Sequence, residues 1–329
     1  MPLQGTAYGD EDVVVVATGA DGQGRARRTG RVLEFRGTGL VLQTVTGRKT
    51  TIPADKVVDI QTSRTTPHRQ GDAAFEQGRY QDAAKHYQAA LSGDQEPRGW
   101  VRRRILAALV RSEYSTGRPD AALRLFATLL RDDAQSPYFD ALPLAWTTSQ
   151  QANRQLVATS LADPLAAVRL LGASYGLSST RRDVAVQALE QLTEHADVRI
   201  RMLATAQLWR TRIAQSELND VQQWEPIINR LPPDLRAGPY FVWGQALAAA
   251  GQHERAALAQ MRARILYPAP PQLSAESLLA AGKSLIELNQ TNSATRVLAE
   301  LITDFPDTRA AAEAQQRLEA IRPASQKPT

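Results

Sequence analysis

Residues 240–306 read YFVWGQALAAAGQHERAALAQMRARILYPAPPQLSAESLLAAGKSLIELNQTNSATRVLAELITDFP and contain one pattern twice. The first copy consists of Tyr240, Trp243, Gly244, Leu247, Ala256 and Pro268. The second copy repeats these positions 38 residues later, with Leu278, Ala281, Gly282, Leu285, Ala294 and Pro306. Apolar residues three or four positions apart, followed by a turn and a closing proline, predict two tandem helical hairpins.

Each hairpin has small residues where its two helices are expected to cross. Gly244 and Gly282 lie in the first helices and Ala256 and Ala294 in the second, and larger side chains there would push the backbones apart. Gly251 is expected to end its helix in the left-handed conformation, which glycine adopts without a Cβ penalty. The closing proline lacks an amide hydrogen and therefore ends the second helix.

This pattern resembles the tetratricopeptide repeat, whose unit of about 34 residues reads W-x2-L-G-x2-Y, then A-x3-F, then P. The resemblance implies a mainly α-helical protein, an α-solenoid, that binds a protein or peptide partner and carries no chemistry of its own. A second, less regular pair is predicted within residues 67–137. It is indicated by Gly71, Ala74, Gly78, Tyr80, Ala83, Tyr87, Ala90, Leu106, Leu109, Gly117, Ala122 and Phe126.

The composition excludes several kinds of chemistry. The 329 residues include no cysteine, which rules out disulfides, thiolate catalysis and cysteine-ligated zinc. The net charge of +5 is spread along the chain, and its four histidines have no partner at metal-ligand spacing. Neither a nucleophile elbow nor a phosphate-binding loop is present. We therefore expect no catalytic, cofactor-binding or metal-binding residues, and a protein that is not an enzyme.

Residues 10–63 are predicted to form a separate small β domain after a disordered tail at 1–9. Five short strands joined by tight turns favour an Sm-like or SH3-like barrel. Its basic residues suggest an alternative function, RNA binding through arginine-rich turns, although aromatic side chains for base stacking are scarce. The candidate patch is Arg25, Arg27, Arg28, Arg31, Arg36, Arg48 and Lys49.

Residues 138–235 are predicted to be helical without the repeat spacing. We expect Leu142–Trp146 and Leu156–Leu161 to form one hairpin, and Ala196–Ala204 is similar to the opening of the second helix of a HEAT repeat. The tandem hairpins of residues 240–306 belong to a segment at 236–321, where Thr308–Ile321 is predicted to serve as a capping helix. The tail at 322–329 is expected to be disordered.

The resemblance also implies where a partner would bind, because the first helix of each repeat lines a concave groove. The implied groove residues are Asp72, Phe75, Glu76, Ala107, Arg111, Tyr114, Phe241, Gln245, Ala248, Leu279, Lys283 and Ile286. Asp72 and Gln245 stand where the carboxylate clamp of some relatives has asparagine. Mixed apolar and charged residues favour a groove for a peptide over a strong anion site. The β domain would then be a second docking surface.

The sequence contains few signals of the cellular compartment of the protein. No run of 18 apolar residues predicts a membrane span, and the small-residue stretch Gly5–Gly9 suggests a trimmed precursor. Asp304–Thr308 and the helix after it look like the ending of bacterial periplasmic repeat proteins. We expect a soluble protein of the bacterial periplasm or cell envelope, or otherwise of the cytoplasm. The predicted cap favours a monomer.

Overall fold

The computed structural model describes residues 11–19 and 23–321, which form two compact units divided between Pro143 and Leu144. The tails predicted at 1–9 and 322–329 lie outside the described residues. Among the described helices, none has both the length and the apolar character needed to cross a bilayer.

The first unit begins with an antiparallel sheet of five strands in the order β4-β3-β2-β1-β5. The strands are β1 (Asp12–Thr18), β2 (Gly24–Arg36), β3 (Gly39–Gln43), β4 (Lys49–Ile52) and β5 (Val57–Gln61). β2 is long enough to serve two neighbours, since residues 24–30 pair with β1 and residues 31–36 pair with β3. At the changeover, a Cβ on Gly30 would clash with the carbonyl oxygen of Gln43, so the close approach requires glycine.

The sheet corrects one sequence prediction. Arg25, Arg27 and Arg28 were expected in turns, but they lie in the first half of β2 and pair with β1. The valine run of β1 supplies a complete antiparallel partner for this half. Pairing with the preceding strand therefore overrides the weak strand propensity of an arginine-rich segment.

The predicted barrel is not confirmed. β4 pairs with β3 and β5 pairs with β1, and no ladder among the described residues joins β4 to β5. The structure therefore shows an open five-stranded antiparallel sheet in this region.

The α-helices of the first unit that the structure describes form two hairpins. They are α1 (Thr66–Glu76), α2 (Tyr80–Leu91), α3 (Gly99–Ser115) and α4 (Pro119–Asp132). Gly71 allows α1 and α2 to cross closely, because a Cβ there would stand 2.6 Å from the Tyr87 ring.

The sheet and the first helices share one hydrophobic core. Val14 and Leu40 of the sheet belong to the same buried cluster as Trp100 and Ile105 of α3. The indole N–H of Trp100 also donates to the carbonyl oxygen of Val32 at 3.2 Å. The boundary near residue 63 falls between β5 and α1, and the independent folding of the β region stays a prediction.

A buried arginine adds a second link between sheet and helices. Arg103 of α3 is 5% exposed and bonds the Glu34 carboxylate, the Phe35 carbonyl and the Asp132 carboxylate. These acceptors satisfy much of the hydrogen-bonding capacity of the guanidinium, which makes its burial tolerable.

The second unit is helical. Its helices are α5 (Arg154–Leu161), α6 (Ala166–Gly176), α7 (Arg182–Leu192), α8 (Val198–Trp209), α9 (Leu218–Gln222), α10 (Trp224–Ile228), α11 (Ala237–Ala249), α12 (His253–Ile265), α13 (Pro271–Glu287), α14 (Thr291–Asp304) and α15 (Arg309–Ile321). The helix expected over Leu142–Trp146 is absent from this described segment. Pro143 explains the difference, because it disfavours helical backbone at the residue before it and lacks an amide donor.

The repeats of the second unit cross at glycine, as the sequence predicted. A Cβ on Gly244 would clash with the Gln260 side chain, and one on Gly282 would stand 2.5 Å from Leu298. In both hairpins, and in α1–α2, the facing residue lies sixteen positions after the glycine. Ala256 is fully buried, but the side chain that fills the crossing is one helical turn further on.

The two helices of each of four hairpins are joined by the same turn. A residue in the left-handed conformation donates its N–H to the carbonyl oxygen three residues earlier. The next residue donates to the carbonyl oxygen five residues earlier, which completes the Schellman pattern. The left-handed residues are Gly78, Gly117, Gly251 and Asn289, with φ between 58° and 73°. The prediction for Gly251 is confirmed.

We expect Gly251→Ala to lower the free energy of unfolding by about 1 kcal/mol, because an L side chain is strained in this conformation. No atom lies within 4 Å of a Cβ built there, so crowding adds nothing. Gly251→Asn should cost less, since asparagine occupies the equivalent turn at residue 289. Urea unfolding of the three proteins measures the difference, and equal losses for both variants would contradict the conformational explanation.

Candidate functional site

The inner face of the first repeat pair is occupied by the chain itself. Trp100, Arg104, Ala107 and Arg111 share one face of α3 by helical spacing. Arg104 donates to the carbonyl oxygen of Ile60 at 2.8 Å, Ala107 is fully buried, and Arg111 bonds the Asp140 carboxylate. The sheet and the segment around Asp140 therefore lie against part of the groove face that the sequence predicted for this unit.

On α1, Asp72 is engaged in the same way. Its carboxylate accepts hydrogen bonds from Arg64 at 2.6 Å and from the Tyr87 hydroxyl at 2.8 Å. The Nε2 atom of buried His68 lies 3.6 Å from it. Burial, followed by the Asp72 charge, raises the pKa of Tyr87. Asp72 therefore belongs to an internal polar cluster.

The remaining predicted groove residues of the first unit differ in exposure. The Phe75 ring packs edge-on against Tyr80 with centroids 5.1 Å apart. Tyr114 is half-buried and Glu76 is exposed. Phe75 and Glu76 lie at the end of α1, and Tyr114 lies near the end of α3.

The second unit has an open groove along α11 and α13, the first helices of its two repeats. Two adjoining cavities of about 300 and 240 Å³ share Phe241, Gln245, Glu276 and Leu279 in their linings. The larger cavity is also lined by Trp146, Thr147, Thr148, Ser149, Leu177, Ser178, Arg182, Arg210, Thr211, Ile213, Arg309, Ala310 and Glu313. The smaller one adds Gly244, Ala248, His253, Gln260, Ala280, Lys283, Ser284 and Glu287.

Most groove residues predicted for this unit line these cavities. Phe241, Gln245, Ala248, Leu279 and Lys283 do so, whereas Ile286 packs against the cluster of α13, α14 and α15.

Several lining residues were not predicted from the sequence. Glu276 lies three residues before Leu279, so it could have been placed on the same helix face. Arg182, Arg210 and the residues after Trp146 come from the irregular segment, whose spacing offers no repeat position from which to place them.

The charges of the groove are partly paired. Glu313 accepts from Lys283 at 2.8 Å and from Arg317 at 2.9 Å, and the bond from Lys283 leads the lowering of its pKa. Glu276 has no hydrogen bond or ion pair with the described residues, and burial raises its pKa. Arg182 and Arg309 are exposed, and the charges of Lys283 and Arg309 oppose the rise in the pKa of Glu276.

The smaller cavity also contains an unsatisfied amide. Gln260 of α12 is 1% exposed, and its Nε2 donates to the Phe241 carbonyl oxygen at 2.9 Å. Its Oε1 and the Nδ1 of His253 have no hydrogen-bond partner. Among residues 11–19 and 23–321, no cluster of three histidine or carboxylate side chains could hold a metal ion.

The basic patch of the sheet is only partly assembled. Arg25, Arg27, Arg28, Arg31, Arg48 and Lys49 are exposed. Arg36 is instead held by Glu34 and Asp132. Successive side chains of a strand point to opposite faces, so Arg27 and Arg28 do not share one face.

Comparison with known families identifies the repeats. Two family models described as tetratricopeptide repeat match residues 74–143 and 276–308. The chain therefore contains tetratricopeptide repeats and is a mainly helical repeat protein. No curated protein sequence matched the chain.

Two solved structures are similar at low identity. One is the TPR2AB domain of yeast Sti1 in complex with pHSP90, at 14% identity and a TM-score of 0.30, covering 78% of this chain and 95% of the other. The second is Acl4, an assembly chaperone of RpL4, at 15% identity and a TM-score of 0.33, covering 77% and 95%. At these TM-scores the similarities are too distant to inform the function of this chain.

Proposed function

We propose that the protein is a non-catalytic interaction scaffold that holds a segment of a partner protein in the groove along α11 and α13. The observation that carries the proposal is the open, continuous lining of this groove. Phe241 and Leu279 form its apolar floor, and Glu276, Arg182 and Arg309 add charges of both signs. Such a mixture of apolar and charged groups suits a peptide.

The sheet would serve as a second docking surface. Val45 is 82% exposed and Val58 is 49% exposed, so both strand edges and turns offer apolar contact. RNA binding by the sheet is less well supported, because Arg36 is engaged internally and Arg27 and Arg28 lie on opposite faces.

Groove binding can be tested by selecting a random peptide library on the full chain. Selected peptides should bind wild type and lose roughly tenfold or more in affinity on Ala248→Arg, because a long side chain would fill the smaller cavity. Ala249→Arg is the matched control, since Ala249 is exposed on the same helix and outside the cavity lining.

Thermal melting should show that both variants remain folded. Peptides that bind Ala248→Arg as well as wild type would place recognition elsewhere. If the bound ligand is instead a nucleic acid whose affinity falls steeply with salt, RNA binding by the sheet is favoured.

A further inference from the structure

Four exposed basic residues share the outer face of the sheet, which we call the basic face: Arg25, Arg27, Arg31 and Lys49. The strand pairing places three side chains in one row, since Arg31 of β2 pairs with Gln43 of β3, and Gln43 pairs with Lys49 of β4. Arg25 and Arg27 precede Arg31 on β2 by even numbers of residues. Because strand side chains alternate between faces, they lie on the same face as Arg31.

The burial of the neighbouring residues confirms that this face lies opposite the core. Val32, the residue after Arg31, is 2% exposed, and Val14 of β1 is fully buried. Val13 and Val15 alternate with Val14 and are half-buried, and Val15 pairs with Arg27. The basic face therefore has exposed cations beside half-buried valines.

Carboxylates are few on this face and are partly compensated. Residues 23–52 contain seven basic residues and one acidic residue, Glu34. The Glu34 carboxylate is bonded by Arg36 and Arg103. Asp59 of the edge strand β5 accepts a hydrogen bond from the backbone N–H of the next residue at 2.8 Å, and Glu11 is exposed just before β1. The half of the sheet formed by β2, β3 and β4 is thus the positive one.

The turn between β3 and β4 places an apolar side chain next to these cations. Val45 is 82% exposed at the tip of this turn, which is closed by a backbone hydrogen bond from Thr44 to Arg48 at 2.9 Å. The turn follows Gln43 directly and leads into Arg48 and Lys49, both exposed. Segments that bind at a membrane interface combine an inserted apolar side chain with flanking cations.

We propose that the basic face and the β3–β4 turn dock on the surface of an anionic phospholipid membrane. The cations bind lipid phosphates, and Val45 inserts at the level of the headgroups. The charges suit an extended surface better than a single small anion, because Arg25 and Arg31 are up to about 20 Å apart along β2.

A nucleic acid would offer similar phosphates but fits the face less well. It would gain nothing from an exposed valine at the turn. Phe35, the one aromatic residue within 23–52, is 6% exposed and cannot stack on bases. The inference rests on the part of the proposed function that makes the sheet a second docking surface, and it is independent of the groove along α11 and α13.

Flotation of the full chain with lipid vesicles tests the proposal. Vesicles of phosphatidylcholine mixed with phosphatidylglycerol should bind the protein, vesicles of phosphatidylcholine alone should not, and added salt should weaken the binding. Arg31→Glu should lower the affinity for the anionic vesicles roughly tenfold. Arg296→Glu makes the same change of charge at an exposed position on α14 and should leave the affinity unchanged.

Val45→Ser distinguishes a membrane from other anionic partners. It should weaken binding to the anionic vesicles roughly fivefold, because serine retains the charge of the protein but removes the apolar insertion. Val184→Ser on α7 is the control, since Val184 is also exposed, at 48%. Thermal melting checks that each variant is folded. If Arg31→Glu does not fold, Lys49→Glu on the edge strand takes its place.

The outcomes also separate this inference from groove binding. The membrane proposal fails if the anionic vesicles do not bind, or if Arg31→Glu or Val45→Ser binds them as well as wild type. Binding of duplex RNA in place of vesicles, lost in Arg31→Glu and unchanged in Val45→Ser, would assign the face to a nucleic acid. Peptides that depend on Ala248 support the groove whatever the vesicles show, and Ala248→Arg should bind the vesicles as wild type does.

Discussion

Trp100→Ala is expected to lower the free energy of unfolding of the first unit by about 4 kcal/mol. Trp100 is 1% exposed, packs in the core that joins the sheet to α1–α3, and bonds the Val32 carbonyl through its indole. Alanine would leave a cavity at this junction and remove the indole donor from the Val32 carbonyl oxygen. Hydrogen exchange followed by mass spectrometry can measure the loss locally, as faster exchange in both β2 and α3.

Trp100→Phe is the matched control. It retains most of the apolar volume and removes the indole hydrogen bond, so it should cost about 1–2 kcal/mol. The opposite result is equally informative. If α3 kept its protection in Trp100→Ala, or in a chain lacking residues 1–62, the sheet and the helices would be separate folding units, as the sequence first suggested.

The second large effect is acid sensitivity at His68. Its side chain is 1% exposed, and burial lowers its pKa from 6.5 to about 4, outweighing the nearby Asp72 carboxylate. Arg64 and Arg104 lower this pKa further, and Glu96 opposes them. The folded state therefore binds fewer protons than the unfolded state between these two values. The free energy of unfolding therefore decreases as the pH falls below 6.5, and it is lower by about 3 kcal/mol at pH 4.

His68→Gln should remove this part of the pH dependence, because glutamine does not titrate. The variant and wild type are compared by urea unfolding at a series of pH values from 8 to 4. Hydrogen exchange in α1 gives the local comparison. His86→Gln provides the control, since His86 is half-buried on the neighbouring helix α2. Parallel pH profiles for wild type and His68→Gln would show that the histidine does not cause the acid loss.

The repeats were predictable because their signals are local. The glycine of each crossing, the left-handed Gly251 and the closing prolines act within one hairpin, so their spacing in the sequence was sufficient. The course of β2 depends instead on its pairing with β1 and on the passage at Gly30. The shared core around Trp100 joins residues about 70 positions apart, as its bond to Val32 shows, and no short spacing encodes such a contact.

The residues of the candidate site fall into the same two groups, those predictable from local spacing and those placed by tertiary packing. Phe241, Gln245 and Leu279 follow from the repeat positions, which fix the face that each first helix presents. Arg182 enters the lining from a segment without repeat spacing, so its place depends on tertiary packing. Gln260 lines the smaller cavity from α12, the second helix of its hairpin, and its bond to the Phe241 carbonyl likewise depends on tertiary packing.

The contacts of Arg104 and Arg111 with the chain's own sheet and Asp140 have a consequence for valency. With part of the inner face of the first repeat pair covered by the protein itself, our proposal places ligand binding in the groove along α11 and α13. On that proposal, a partner with two copies of the recognised motif would not bridge two sites on one molecule, so it would gain no effective concentration from the second copy. Its advantage over a single-motif partner is then the statistical factor of roughly two.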